Sequence, residues 1–225
     1  LMADRLSLQS DKIKYHPNAI TTDGITLDEE TKKSSSIGYL ARLCPLKGLD
    51  ILVDAFIELK DSGRHDELAL KIAGGMTDDD EPFVEEQRSK LIRAGLSKHF
   101  TISPNISREE KWTFLKSLSV FSVPARYPEA FGLYVVEAML AGTPVVLPDT
   151  GAFPEIIDNT GGGKLYNPET AGSLVEALDE LLSDHVAAKT MGAQAHHSVR
   201  KKYANEKLAE TLVQEVVAPI HVNQK

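Results

Sequence analysis

From Ser36 to Tyr166 the chain alternates short, unbroken apolar runs with longer segments whose apolar residues recur at helical spacing. The runs are Ile37 to Ala41, Leu68 to Ala73, Phe100 to Ile102, Val120 to Val123 and Val145 to Leu147, with Lys164 to Tyr166 as a sixth. Strands that show no polar alternation are covered on both faces, which is the mark of a parallel sheet. Between them, Leu49 to Lys60 places apolar residues at 49, 52, 53, 56 and 59, a helical period. Helices are also predicted at 82–94, from Ser107 with Glu110 completing a capping box, at 132–140, near 154–157, and at 168–183, 185–202 and 205–217. Strand–helix alternation with right-handed crossovers gives a doubly wound, Rossmann-like α/β sheet of about six strands with helices on both faces.

A chain of 225 residues suits one such domain with appendages. Residues 1–35 read as a lead-in, with a weak helical stretch and then the loop-like Tyr15-His16-Pro17-Asn18 and a polar run. Residues 36–202 form the domain, and 203–225 a closing helix and tail. The helix at 205–217 carries apolar residues at 208, 212, 213, 216 and 217, a face that could be left exposed.

Sheets of this kind bind ligands beyond the carboxyl ends of their strands. After the first strand comes Arg42-Leu43-Cys44-Pro45-Leu46-Lys47-Gly48, directly before a helix. Cations at a helix start oppose the dipole unless an anion sits there. Spacing alone leaves surface charge and an anion site on equal footing. After the fourth strand comes Pro128-Glu129-Ala130-Phe131-Gly132-Leu133-Tyr134-Val135-Val136-Glu137. The amides of Phe131, Gly132 and Leu133 fall where first-turn donors lack an intrahelical partner. Glu129 suits a helix start without any ligand. Glu137, flanked by apolar residues, calls for hydrogen-bond donors such as sugar hydroxyls.

These two segments resemble the group 1, or GT4-type, retaining glycosyltransferases. Ile37 to Asp50 resembles their phosphate-binding segment, and Glu129 to Glu137 their E-x7-E motif, followed by Ala138-Met139-Leu140-Ala141-Gly142-Thr143-Pro144-Val145-Val146. Weaker similarity runs from Pro17-Asn18 to the last helix. The resemblance implies the C-terminal, donor-binding half of a GT-B fold. It implies that Arg42 and Lys47 bind the donor pyrophosphate and stabilise the leaving group, and that Glu129 contacts the transferred sugar; these three are the catalytic candidates. It further implies that Phe131, Gly132 and Leu133 offer amides to sugar and phosphate, that Glu137 binds the ribose, and that Ile106 lies near the base. It implies, too, a nucleoside-diphosphate sugar as donor, with neither a cofactor nor an essential metal. The sequence departs from the family in Ala19, where Gly often follows Pro-Asn, in a slightly short Arg-to-Lys spacing, and in Ser103-Pro104-Asn105-Ile106, which lacks the usual Gly. Thirty-five residues cannot hold an acceptor domain, so the chain is expected to need that missing N-terminal partner and to bind donor without turnover. The alternatives are a stand-alone nucleotide or phosphosugar module, and a GT-B relative such as a phosphorylase or a sugar-nucleotide epimerase.

A net charge of −8 argues against nucleic-acid binding. No apolar run approaches the ~18 residues of a membrane span, and no signal peptide opens the chain. The single Cys44 cannot form an internal disulfide. A cytoplasmic location is expected, with room for peripheral membrane contact. Asp78-x-Asp80 matches a short metal motif but reads as a solvated acidic loop, and His196-His197 diverge on a helix, against a zinc site. No dinucleotide, Walker A or nucleophile-elbow motif is present.

Overall fold

The computed structural model describes residues 16–27 and 35–217. The weak helical stretch expected near the amino terminus and the tail beyond 217 lie outside the described residues. The strands are β1 (Ser36–Leu40), β2 (Ala69–Gly74), β3 (Phe100–Pro104), β4 (Val120–Ser122), β5 (Val145–Pro148) and β6 (Gly163–Tyr166). The helices are α1 (Leu49–Asp61), α2 (Glu81–Arg93), α3 (Arg108–Lys116), α4 (Leu133–Leu140), α5 (Phe153–Thr160), α6 (Ser173–Ser183), α7 (His185–Lys202) and α8 (Asn205–Leu212). They cover one sheet of order β3-β2-β1-β4-β5-β6 in which every pairing is parallel. This is the doubly wound α/β sheet that the apolar runs predict.

The reason for those runs is visible in the burial. Every residue of β1, β4 and β5 is buried, because helices close both faces of the sheet. Tyr39, Phe56, Phe121 and Phe153 are the bulkiest fully buried side chains. Helix α1 packs against α6, and α4 against α7. Among the described residues no helix is long and apolar enough to cross a membrane.

Three differences from the sequence reading have local causes. Helix α6 begins at Ser173 rather than near Pro168, because side chains compete with the helix there. Asn167 Oδ1 accepts from the Glu169 amide at 2.9 Å, and Ser173 Oγ donates back to the Asn167 carbonyl at 2.5 Å. The closing helix is α-helical only to Leu212 and continues as a π-turn over Val213–Val217, with Leu212 and Val213 exposed. The loop-like stretch after Pro17 docks on the domain. Ile20 and Ile25 are buried, Ile20 pairs in parallel with Ala204, and Arg200 donates to the carbonyls of Thr22 and Ile25.

One backbone position joins the two central strand exits. Gly48, between the turn Pro45–Lys47 and α1, has φ 70°, and a Cβ there would lie 1.9 Å from the carbonyl oxygen of Pro124 beyond β4. The neighbour is main chain and cannot rotate away. Gly48→Ala is expected to cost at least about 2 kcal/mol, from left-handed strain plus overpacking. An unchanged urea midpoint would contradict this packing.

Candidate functional site

In the sheet order, β1 and β4 are neighbours although β2 and β3 separate them in sequence, and the winding reverses between them. The loops that follow these strands leave toward opposite faces and open a crevice at the carboxyl edge. They are tied across that crevice. The Arg126 amide donates to the Leu46 carbonyl at 3.0 Å. Its guanidinium donates to the Pro45 carbonyl at 2.5 Å and, fork to fork, to Asp50 Oδ1 and Oδ2 at 2.7 and 2.5 Å.

At the centre of the tied loops Lys47 meets Glu129. The Lys47 ammonium donates to Glu129 Oε1, and both side chains are largely withdrawn from solvent, at 17% and 11% exposed. The ammonium lies 4.9 Å from the Tyr127 ring centroid and 5.2 Å from that of Tyr134, and the Tyr134 hydroxyl donates to the same carboxylate oxygen at 3.1 Å. Burial alone would pull the Lys47 pKa down. The bonds to Glu129 and Tyr127 more than reverse this, so it stands above the ordinary lysine value. Burial first, and Glu129 second, push the Tyr134 phenol up, which keeps it a proton donor to the carboxylate. The Glu129 carbonyl accepts from the Ala152 amide at 2.9 Å, which fixes its backbone against the loop after β5.

Arg42 is placed differently. Its side chain is 58% exposed and reaches Asp80, with Nε to Oδ2 at 3.3 Å and Nη2 to Oδ1 at 3.2 Å. Asp78 and Asp79 are exposed, as the reading of a solvated loop has it, and Asp80 alone departs from that reading. Asp80 is 6% exposed, and its Oδ2 also accepts from the Thr77 amide and hydroxyl at 3.0 and 2.9 Å. These Thr77 bonds, then Arg42, hold its carboxyl below the usual range. The signal was in the sequence as Thr77-x-x-Asp80, the capping-box pattern that pulls the third acidic residue back onto the turn. Among the described residues no cluster of His, Cys, Asp and Glu could hold a metal.

Helix α4 starts at this edge from Gly132, whose φ of 78° and closeness to the Phe153 ring leave no room for a side chain. The amides of Phe131, Gly132 and Leu133 therefore surround the helix start, where donors lack intrahelical partners. The Phe131 ring is buried edge-on against Tyr203, and Leu133 is exposed. One turn along α4, Glu137 Oε1 accepts from Lys111 Nζ of α3 at 2.5 Å. Ile106 lines an open cleft of about 460 Å³ beyond β1, β2 and β3, together with Leu40, Gly74, Gly75, Arg108 and Lys111. Asn105, at φ 54°, clasps the neighbouring loop, its side chain accepting from the Met76 amide and donating to the Met76 carbonyl, both at 3.0 Å.

The structure thus brings Lys47 and Glu129 into contact, puts Arg42 on Asp80 and Glu137 on Lys111, and sets Ile106 in the adjoining cleft. Sequence reasoning missed Asp80, Lys111, the Arg126–Asp50 pair and the two tyrosines. Only Asp80 had a local signal, since the others act through tertiary contacts.

Residues 28–198 match the family model described as Glycosyl transferases group 1. The GDP-mannose-dependent alpha-(1-6)-phosphatidylinositol monomannoside mannosyltransferase of Mycobacterium tuberculosis is 28% identical over 216 residues, covering 89% of this chain and 54% of that protein. The chain therefore spans about half the length of the curated relatives it matches first. Among solved structures, HepE of Anabaena in complex with UDP and glucose superposes with a TM-score of 0.78 at 21% identity, over 94% of this chain and 59% of that one. The C-terminal domain of a group 1 family glycosyl transferase, LpcC from Francisella tularensis, gives 0.71 at 24% identity, over 83% of this chain and 99% of that one.

Asp50 also titrates below the usual carboxylate range: burial raises it, but the bond and charge of Arg126 outweigh that. A lowered carboxylate stabilises the fold above its unfolded pKa of ~3.9, and the contribution is lost as pH falls through the folded value. Urea stability should therefore fall between about pH 5 and pH 3, and an Asp50→Asn/Asp80→Asn variant should flatten that limb. An equally steep limb in the variant would show that these pairs carry no linkage.

Proposed function

Because the chain belongs to the group 1 glycosyltransferases, we propose that it is the donor-binding half of a retaining GT-B enzyme, which transfers a sugar from a nucleoside diphosphate to an acceptor. The observation that carries this is the contact between Lys47 and Glu129, a cation and a carboxylate delivered by the two loops that flank the winding reversal. Ligands of doubly wound sheets lie at that point. The crystallised HepE complex, which holds UDP and glucose, supports a nucleotide sugar as the ligand class. The match to a C-terminal domain supports the assignment to the C-terminal half.

On this proposal Arg42 and Lys47 face the donor pyrophosphate. Transfer passes through an oxocarbenium-like state as the diphosphate departs, and fixed cations aimed at the departing charge lower that barrier. Lys47 would exchange the Glu129 oxygen for a phosphate oxygen, which frees Glu129 to accept hydroxyls of the transferred sugar. The amides of Phe131, Gly132 and Leu133 would hold sugar and phosphate oxygens. Glu137 would take the ribose, and Ile106 would border the base. The scheme places the leaving-group charge on side chains of this chain and includes no cofactor. The acceptor would be held by a further domain, so the chain alone would bind donor without turnover.

Calorimetric titration with UDP, GDP and ADP, without added metal, tests this. One of them should bind, and Arg42→Ala/Lys47→Ala should weaken it at least ~10-fold, the value of a charge-assisted contact to phosphate. Equal affinity in the variant would place the nucleotide elsewhere.

A further inference from the structure

The docked stretch around Ile20 and the loop that carries Glu129 meet at one residue, Tyr203, which the proposed donor scheme does not use. Tyr203 closes the end of α7 and is 3% exposed. Its carbonyl accepts from the Ile20 amide at 2.8 Å, and the Asn205 amide donates to the Ile20 carbonyl at 3.0 Å. Asn205 Nδ2 adds a bond to Thr21 Oγ1 at 3.0 Å. Arg200, about one turn earlier on α7, donates to the carbonyls of Thr22 and Ile25 at 3.1 and 3.0 Å. Residues 20–25 are thus clasped through the backbone around Tyr203.

The side chain of Tyr203 serves another partner. Its ring meets that of Phe131 edge-on, with centroids 5.8 Å apart and planes at 64°, and Asn159 of α5 donates to its hydroxyl at 3.4 Å. Phe131 is 7% exposed and lies two residues after Glu129, directly before the Gly132 that starts α4. The loop from Val123 to Gly132 contains no helix or strand, so the place of the Phe131 amide depends on what its ring packs against. An edge-to-face ring pair is directional as well as apolar, which an aliphatic side chain of similar bulk does not reproduce. Tyr203 therefore joins the clasp, through its backbone, to the amides at the start of α4, through its ring. Two equilibria that share such a residue are coupled, and the coupling is reciprocal.

We propose that Tyr203 is a positioning residue that sets the Phe131 amide through its ring and so links donor binding to the docking of residues 20–25. This rests on the donor-binding function proposed above and adds a regulation of that same site. A bound nucleotide tightens the clasp, and whatever pulls residues 20–25 away weakens the nucleotide by the same factor.

The test pairs calorimetry with UDP, GDP and ADP with amide exchange followed by NMR, on wild type, Tyr203→Leu and Tyr203→Phe. Saturation with the nucleotide that binds should slow exchange of the Ile20 and Asn205 amides at least about fivefold, the lower end of ordinary coupling between sites. The Gly95 amide beyond α2, bonded to the Ile92 carbonyl at 2.9 Å, should not respond. Tyr203→Leu keeps apolar bulk but removes the ring, so it should bind that nucleotide about fivefold more weakly and lose the slowing. Tyr203→Phe keeps the ring and should retain both the affinity and the slowing. Clasp amides that ignore bound nucleotide in the wild type would overturn the proposal and leave the donor assignment standing, a result that needs no variant to fold. A Tyr203→Phe as weak as Tyr203→Leu would overturn it too, since the ring would then not carry the link. Equal slowing of the Gly95 amide would show general stabilisation in its place. Wild type that binds none of the three nucleotides would overturn the donor-site assignment and this proposal with it.

Discussion

The first wall of the carboxyl edge depends on the contact between the loops that follow β1 and β4. The sheet makes them neighbours, but a sheet alone would let them diverge. They are held by the Gly48 backbone against Pro124, by the Arg126 amide on Leu46, and by the Arg126 fork on Asp50. Lys47 and Glu129 lie inside that brace and inherit its rigidity. Catalytic and binding geometry is only as precise as the elements that carry it. Here a long loop without regular structure, from Val123 to Gly132, is made definite by a shorter partner loop built on the turn Pro45–Lys47.

The second wall is assembled separately. Asn105 joins the exits of β2 and β3, α3 starts from its own cap, and Lys111 then crosses to α4. Helix α4 therefore meets both walls, with its start close after Glu129 and its second turn bonded through Glu137 to Lys111. Eight positions separate Glu129 from Glu137 in sequence, so that one short segment reaches both the Lys47 contact and the Lys111 contact.

Much of this was legible in the sequence. Strands buried on both faces announce themselves as apolar runs, and their alternation with amphipathic segments leaves few topologies. Of the residues after β1 and β4, the cations stood out because they oppose the dipole of a helix start, and Glu137 because it is a carboxylate among apolar neighbours; it was the resemblance to a known family, not spacing, that singled out Glu129. What escaped was set by contacts distant in the chain. The pairing of Lys111 with Glu137 spans 26 residues, and that of Arg126 with Asp50 spans 76, so no window of local pattern contains either. The docking of Ile20 beside Ala204 escaped for the same reason, since loop-forming residues say that a segment lacks regular structure but not that it lies on the surface. The late start of α6 is the reverse case: its cause, the turn around Asn167, is local but competes with an equally local helical period.

The pairing of each site cation with a carboxylate also changes what an approaching molecule experiences. Arg42, Lys47, Lys111 and Arg126 each face an acid within a few ångströms, so beyond a Debye length of ~10 Å the edge presents dipoles rather than bare charge. The chain as a whole carries −8. On the proposed function, a polyanionic donor would therefore not be steered in from solution, and discrimination would begin only at contact, when one acidic partner is exchanged for another. The edge is in this sense electrically quiet, and it responds to shape and length before it responds to charge.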